Sequence, residues 1–470
     1  MTVWIWVIGA LYAVLLAGLA FEAWRRTTSG EDYILAGSSV GSVVGLFTYA
    51  ATLFSTFTLM GMPDFFRSHG VGAWIFLAVS DGVQIFLVVW FGYHIRRRAQ
   101  KKGYRGTAGL LGDLFGNAWA GYVYFGGIFV FLIPYVAIQI RGLAIFLEAV
   151  FPGALPAWAW STTIVAVMLV YSEVGGLRAI MYSDVVQGLT LLAVTWIIAI
   201  SYLQDFGGVG SMFQAVEQVE AELLSAPGPE GLFSRQFLVA SFLAIVLLPA
   251  TQPQLTTRLM ILKDRATMNR MAVSIGVFAI LILLPVIVIG MYGALEYPDA
   301  SVRDFLSNAL LFDQPDFVGA VVVVGLLAAA MSTADSQIFA LGTELQSLFS
   351  GGEEAAMRKT KLAVWAFGIA TLIFSILASD QLVLLARVSF AGTSLLAPMV
   401  ISGVLSERPP GVEVIGATAV GLLIFLGAKL AFIPETVQGV RMDLLLLLSL
   451  TALTVASYAY HRRRDVVMAE

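Results

Sequence analysis

The sequence contains no cysteine and only 3 histidines in 470 residues. The absence of cysteine excludes disulfide bonds, thiolate metal sites and cysteine nucleophiles. The histidines, His69, His94 and His461, are far apart in the chain, so we do not expect a histidine metal site. Charge is also scarce, because 12% of the residues are charged and 59% are hydrophobic. A soluble domain of this length needs roughly twice that share of charge, so the composition indicates a membrane protein.

The hydrophobic residues form blocks of about 17–25, the length of a helix that crosses a bilayer. We therefore expect an all-α membrane protein with about thirteen transmembrane helices. The first block lacks a basic leader and a cleavage site, so we expect it to be a retained helix. The predicted spans are approximately 3–24, 41–64, 72–94, 118–150, 158–175, 184–203, 236–258, 271–293, 317–346, 362–379, 381–404, 412–432 and 442–460.

The loops alternate in charge along the chain. Basic residues such as Arg25, Arg96 and Lys263 follow the odd-numbered spans, whereas the opposite loops are acidic and include Glu217 and Asp299. Because cytoplasmic loops of membrane proteins carry an excess of Lys and Arg, the N-terminus is predicted outside and the C-terminus in the cytoplasm. The predicted location is the inner (plasma) membrane of the cell, with the lipid bilayer as a partner.

Two predicted spans contain helix breakers and clustered polar residues. Span 41–64 has Thr48, Thr52, Ser55, Thr56 and Thr58 near its centre. Span 236–258 has Pro249 and Pro253, with Thr251, Gln252 and Gln254 beside them. A simple proline kink is one interpretation of the second pattern. The other is an unwound helix, whose freed carbonyls must line a cavity because lipid offers them no partner.

The spacing of the two interrupted spans predicts two inverted repeats of about five helices each, whose broken first helices meet at the midplane. The repeats would be residues 41–203 and 236–404, separated by an extracellular loop at 204–235 that includes a short amphipathic helix. Residues 1–40 would form an N-terminal helix and a cytoplasmic segment. Residues 405–470 would form two C-terminal helices and a basic tail.

The ninth span carries four polar residues, Ser332, Thr333, Asp335 and Ser336, deep in an apolar helix. Ser332 shares a face with Asp335 and Ser336, and Ala329 lies one turn earlier. Hard cations such as sodium prefer oxygen ligands, and a carboxylate inside a membrane is costly unless it is paired or binds a cation. These residues therefore predict an ion site, whereas hydrogen bonding between helices is the alternative.

Three motifs carry a resemblance to a known family: AAAMSTADSQ at 328–337, YSEVGGLRAIMYSDVVQG at 171–188 and DYILAGSSVG at 32–41. In these motifs the chain resembles the sodium/solute symporter family, which has an inverted-repeat fold of the leucine-transporter type. The resemblance implies a sodium ion held by backbone carbonyls of Ala51, Phe54 and Ala329 and by the hydroxyls of Ser332 and Thr333. For a possible second cation it implies Asp184, Ser332, Asp335 and Ser336. Leu53 departs from the family's proline permeases, which carry an Asp there.

Candidate solute ligands lie on the broken spans and the spans that face them. These residues are Thr52, Ser55, Thr56, Asp81, Gln84, Gln139, Arg141, Gln252 and Gln254. The guanidinium of Arg141 matches a carboxylate, but pairing with Asp81 or extension towards the membrane surface are alternatives. IPYVAIQIRG at 133–142 resembles a segment of monocarboxylate- and pantothenate-type members.

We therefore predict a sodium-coupled symporter that imports a small organic solute, such as a monocarboxylate or a related carboxylate. Symport of an amino acid or a sugar stays open, as does a non-transporting membrane sensor. No protease motif accompanies the acids Asp184 and Asp335, so an enzyme is not expected. Neither a nucleic acid nor an obligate protein partner is indicated by the sequence.

Overall fold

The computed structural model describes residues 1–27, 35–103, 106–172, 177–349, 353–407 and 409–469. Parts of two motifs, at 28–34 and at 173–176, lie outside the described residues. The described chain is almost entirely helical, as predicted. The helices are α1 (Thr2–Arg26), α2 (Ser42–Leu53), α3 (Met62–His69), α4 (Trp74–Lys102), α5 (Thr107–Leu114), α6 (Ala118–Val150), α7 (Ala157–Ser172), α8 (Leu177–Asp205), α9 (Val209–Glu220), α10 (Arg235–Val246), α11 (Leu248–Thr251), α12 (Pro253–Met260), α13 (Arg265–Glu296), α14 (Val302–Ser307), α15 (Asp316–Ser347), α16 (Glu353–Leu377), α17 (Leu382–Ser394), α18 (Ala397–Leu405), α19 (Val412–Lys429) and α20 (Met442–Ala469).

Short elements join some of these helices. Single 3-10 turns cover Ala36–Ser38, Val71–Ala73 and Ala221–Leu224, and π-helical turns cover Phe57–Gly61 and Asn308–Phe312. A small antiparallel hairpin of β1 (Thr436–Val437) and β2 (Val440–Arg441) precedes α20.

Within the described residues, 9 helices are long and apolar enough to cross a membrane, and two bent helix pairs raise the number to 11. The remaining two predicted spans, 158–175 and 236–258, contain shorter apolar helices at Ala157–Leu169 and Arg235–Val246. Every predicted span thus contains a helix, and an all-α membrane protein is confirmed.

Both predicted interruptions are present. Phe54, after α2, is extended at φ -102° and ψ 111°, and the two halves of this span are bent by 46°. Gln252, between α11 and α12, is extended at φ -97° and ψ 120°. Proline disfavours the helical conformation in the residue before it, and it is well suited to the first helical position. Pro253 therefore ends α11 at Thr251 and begins α12.

A third bend was not predicted. α17 and α18 meet at 42°, with Pro398 in the first turn of α18. Residues 381–404 were predicted as one continuous span, although Thr393 and Ser394 lie just before this proline.

Contacts between loop ends agree with the predicted alternation of sides. The Met1 ammonium lies 2.5 Å from the Asp316 carboxylate at the start of α15. At the opposite side, Arg96 donates to the carbonyls of Leu262 and Lys263 at 2.8 and 2.6 Å. Each of these contacts joins two helix ends that the charge pattern places on the same side of the membrane.

The predicted amphipathic helix in the 204–235 loop is present as α9. Met212 and Val216 on its inner face are buried, and Leu223 beyond it packs on the end of α3. Gly70 there has φ +86°, and a Cβ on it would lie 2.2 Å from the Leu223 carbonyl oxygen. The loop therefore covers α3, the second half of the first broken helix.

The end of α15 caps a short helix. The Glu344 carboxylate accepts hydrogen bonds from the backbone amides of Thr107 and Ala108 at 3.0 and 2.6 Å. The Ser347 hydroxyl accepts from the Gly109 amide at 2.9 Å. Three amides at the start of α5, which have no partner within the helix, are satisfied in this way. These hydrogen bonds fix the end of α15 to α5, the short helix between α4 and α6.

Candidate functional site

The first broken helix exposes the carbonyls at the end of α2 to side chains of other helices. The Tyr135 hydroxyl of α6 donates to the carbonyls of Thr52 and Leu53 at 3.3 and 3.1 Å. The Thr333 hydroxyl of α15 donates to the Ala51 carbonyl at 3.1 Å. All these residues are buried. Because the helix ends here, its last carbonyls have no intrahelical partner and are free to accept such bonds or to bind a cation.

The second broken helix is stabilised by its own hydroxyls and amides. The Thr256 hydroxyl donates to the carbonyls of Pro249 and Gln252 at 3.1 and 3.0 Å. The Gln254 amide donates to the Gln252 side-chain oxygen at 2.6 Å. The Gln252 Nε2 and Gln254 Oε1 atoms are buried and have no hydrogen-bond partner among the described residues. The break therefore presents a free donor and a free acceptor inside the protein.

The predicted sodium ligands are partly brought together. Thr333 contacts Ala51, and Ala329 lies one turn before Thr333 on the same face of α15. Phe54 is the extended residue at the break, three residues beyond Ala51. The Ser332 hydroxyl points elsewhere, since it donates to the Asp184 carboxylate of α8. The two adjacent hydroxyls thus contact two different helices.

The residues predicted for a second cation surround an arginine. Arg258 of α12 donates to the Ser336 hydroxyl at 2.7 Å and lies 3.5 Å from the Asp184 carboxylate. Its Nε donates to the carbonyl and the hydroxyl of Thr48, both at 3.1 Å. Asp335 makes no hydrogen bond to this group, and its Oδ1 is buried without a partner among the described residues.

Arg258 is the functional residue that the sequence analysis missed. It is the last residue of the predicted span 236–258, five residues after Pro253, and it is 1% exposed. An ionisable residue within a membrane span is a reason to expect a functional site. At the end of a predicted span, however, an arginine also fits an ordinary basic flank of the membrane, so the sequence alone did not single it out.

The solute candidates separate into two groups. Gln139 donates to its own helix at the Tyr135 carbonyl, and its Oε1, like the Thr56 hydroxyl, is buried without a partner among the described residues. The Ser55 hydroxyl accepts a long 3.4 Å hydrogen bond from the Phe57 amide. These atoms surround the break in the first helix.

The second group of candidates is already paired. Gln84 donates to Asp81 at 2.8 Å and accepts from the Tyr49 hydroxyl at 3.3 Å. Arg141 forms an ion pair with Asp380 at 2.8 Å, and both side chains are partly exposed. The alternative pairing of Arg141 with Asp81 does not occur. Arg141 therefore lies towards the surface of the molecule in this conformation.

Three aromatic rings close over the first break. The ring centroids of Phe57 and Tyr135 are 6.5 Å apart, and those of Tyr135 and Phe390 are 5.1 Å apart. Phe57 and Phe390 are separated by 6.3 Å in an edge-to-face arrangement. The rings connect α6, α17 and the turn between α2 and α3, and Phe57 and Phe390 also line a small cavity beside Ser241 and Arg387.

Comparisons with known proteins agree on one family. A family model described as the sodium:solute symporter family matches residues 33–404. A sodium/pantothenate symporter of Haemophilus influenzae is 25% identical over 386 residues, covering 78% of this chain and 76% of the relative. A high-affinity proline transporter of Bacillus subtilis is 25% identical over 467 residues, covering 93% of this chain and 96% of the relative.

Solved structures show the same fold. A sodium-coupled sialic acid symporter matches with a TM-score of 0.77 and 16% identity, covering 96% of both chains. MhsT in complex with L-phenylalanine matches with a TM-score of 0.52 and 17% identity, covering 92% of this chain and 99% of the other. The predicted fold, an all-α transporter with interrupted helices, is thus confirmed.

Proposed function

The chain belongs to the sodium:solute symporter family, a family of membrane transporters, and we propose that it imports a small carboxylate-bearing solute together with sodium. The contact between the Thr333 hydroxyl and the Ala51 carbonyl supports this proposal most directly. It joins a hydroxyl-bearing helix to the carbonyl end of a broken helix. Such an end attracts a cation inside a membrane.

The proposed sodium ligands are the carbonyls of Ala51, Phe54 and Ala329 and the hydroxyl of Thr333, whereas the hydroxyl of the predicted ligand Ser332 donates to Asp184 instead. Sodium is a transported substrate here rather than a resident cofactor. Neutral oxygen ligands suit it, because a hard cation binds hydroxyls and carbonyls well. Bound sodium would replace the direct Thr333–Ala51 hydrogen bond and hold α2 against α15.

The proposed solute site lies between the two broken helices. Four buried atoms without partners are available to it: Thr56 Oγ1, Gln139 Oε1, Gln252 Nε2 and Gln254 Oε1. The N-terminal ends of half-helices attract carboxylates, and α12 begins at the second break, after Gln252. The pantothenate and proline carried by the two relatives both bear a carboxylate.

Arg141 is not the proposed partner of that carboxylate. Its guanidinium is held by Asp380, and it is partly exposed rather than buried at the break. A solute carboxylate would therefore be recognised by backbone amides at the start of α12, by Gln252 Nε2 and by the Thr56 hydroxyl, and the Gln139 and Gln254 oxygens would accept from donors elsewhere on the solute. Leu53 stands in the position where the family's proline permeases carry Asp, so proline itself is not the proposed solute.

Coupling follows from the shared helices. Sodium needs α2 and α15 close together, and the solute needs the same break in an ordered conformation. Each ligand therefore increases the affinity of the other. The loaded protein would then change from outward-facing to inward-facing by rigid movement of the two repeats, 41–203 and 236–404, around the site.

The proposed orientation in the plasma membrane has the N-terminus outside and the C-terminus in the cytoplasm. The aromatic residues Phe57, Tyr135 and Phe390 would then lie on the outer side of the site. The loop at 204–235 would cover the outer half of the first broken helix. Opening towards the outside requires these rings to separate.

Transport assays in liposomes test the proposal. Purified protein is reconstituted, and uptake of labelled pantothenate, proline, lactate and glucose is measured with an inward gradient of sodium or of choline. We expect accumulation above equilibrium for a carboxylate in sodium only. Labelled solute should also exchange with unlabelled internal solute, which neither a sensor nor a channel would support. Equal uptake in sodium and choline would reject the proposed coupling, and accumulation of glucose alone would indicate a sugar symporter.

A further inference from the structure

One positive side chain lies inside the pocket that was predicted for a second cation. Arg258 is fully buried and contacts three helices besides its own: α2 through Thr48, α8 through Asp184 and α15 through Ser336. Its Nη1 also donates to the Gln254 carbonyl of α12 at 2.9 Å. The guanidinium is charged at every physiological pH. A permanent cation therefore occupies the centre of this pocket.

The oxygen atoms of the pocket are already used. Asp184 Oδ2 accepts from the Thr48 hydroxyl at 2.5 Å and faces the Arg258 guanidinium at 3.5 Å. Its Oδ1 accepts from the Ser332 hydroxyl. Ser336 accepts from Arg258 at 2.7 Å. A sodium ion would have to displace the guanidinium to reach Ser336 and Asp184 Oδ2.

Charge also disfavours a second ion. Asp184 and Arg258 together carry no net charge, and a sodium ion added between them would bring an unpaired positive charge into a buried site. An unpaired buried charge costs several kcal/mol. Asp335 carries the nearest further carboxyl on this part of α15, but it makes no hydrogen bond to the cluster.

We propose that Arg258 is a tethered cation that takes the place of a second sodium ion. The chain then couples transport to the single sodium ion between the broken helix and Thr333. The inference rests on the proposed sodium-coupled function. It explains why Ser332 and Thr333 face different helices: Thr333 faces the ion, and Ser332 contacts the carboxylate that neutralises the arginine.

Equilibrium binding of ²²Na⁺ to the purified protein tests the inference without knowledge of the solute. The wild type should bind about one sodium ion per chain. Arg258→Gln should vacate the pocket and leave Asp184 unpaired, so this variant should bind about two. Arg258→Lys keeps a positive charge and should stay at about one. The double variant Arg258→Gln with Asp184→Asn should also bind about one, because its vacated pocket has no carboxylate.

The outcomes separate the inference from the proposed function. Two ions bound to the wild type would overturn the inference and leave sodium coupling intact. An Arg258→Gln protein that folds normally and still binds one ion would overturn the inference as well, because the vacated pocket would not be a cation site. No sodium bound to any of the proteins would overturn the proposed function itself. The wild-type count does not depend on whether the Arg258→Gln variant folds.

Discussion

Replacing Thr333 by alanine should weaken sodium binding far more than it disturbs the fold. The change removes a hydroxyl that contacts the Ala51 carbonyl at 3.1 Å and leaves the rest of α15 unaltered. Alanine favours helix, so the cost to α15 itself is small. One oxygen ligand to a charged group contributes about 1.5–3 kcal/mol. A loss of about 1.4 kcal/mol weakens binding tenfold, so the sodium concentration for half-maximal uptake should rise about 10- to 100-fold.

The assay is solute uptake into liposomes as a function of external sodium, at a fixed low solute concentration. Thr333→Ser retains the hydroxyl and should change the sodium concentration for half-maximal uptake by less than about threefold. Thr163→Ala is a matched control. Thr163 is exposed on α7 and donates only to the Ala159 carbonyl of its own helix. The same threonine-to-alanine change there should leave the sodium dependence unaltered.

Unchanged sodium dependence in Thr333→Ala, with a normal amount of folded protein, would refute the proposed site. An equal loss in Thr333→Ala and Thr333→Ser would also count against a hydroxyl ligand, because it would indicate that packing rather than the oxygen atom matters.

Two other substitutions test the solute site and the cap on α5. Gly142→Ala places a Cβ 2.7 Å from the Thr56 methyl carbon and should lower solute affinity about tenfold or more in uptake assays. Gly126→Ala on the same helix is the control, because a Cβ there meets open space, and it should leave solute affinity unaltered. Equal effects of Gly142→Ala and Gly126→Ala would contradict close packing at the break. Glu344→Ala leaves two buried amides without their acceptor and should cost about 1–3 kcal/mol of stability, seen as a lower thermal unfolding midpoint. The same change at the exposed Glu217 should leave that midpoint unaltered, and a matching loss there would mean that the cap contributes nothing specific.

The sequence predicted best those features that have local causes. Pro253 ends one helix and begins the next, so the break at Gln252 is predictable from neighbouring residues. The spans follow from hydrophobic blocks alone. The bend at Pro398 has the same local cause, and the polar residues Thr393 and Ser394 lie beside it, yet 381–404 was predicted as one continuous span.

Partnerships between distant residues could not be predicted in this way. Arg258 lies 210 residues from Thr48 and 74 from Asp184 in the chain, and its neighbouring residues do not predict these partners. The ion pair of Arg141 with Asp380 joins residues 239 apart. Such pairs depend on how whole helices pack, so a charged residue within a span predicts that a partner exists and leaves its identity open.

The most direct measurement is a pair of high-resolution cryo-electron microscopy maps, one of the protein in sodium and one in choline. We predict a density peak between the Ala51 carbonyl and the Thr333 hydroxyl in the sodium map only, with the Arg258 guanidinium still beside Asp184. Two identical maps, or a sodium-dependent peak away from Thr333, would contradict the proposed sodium site.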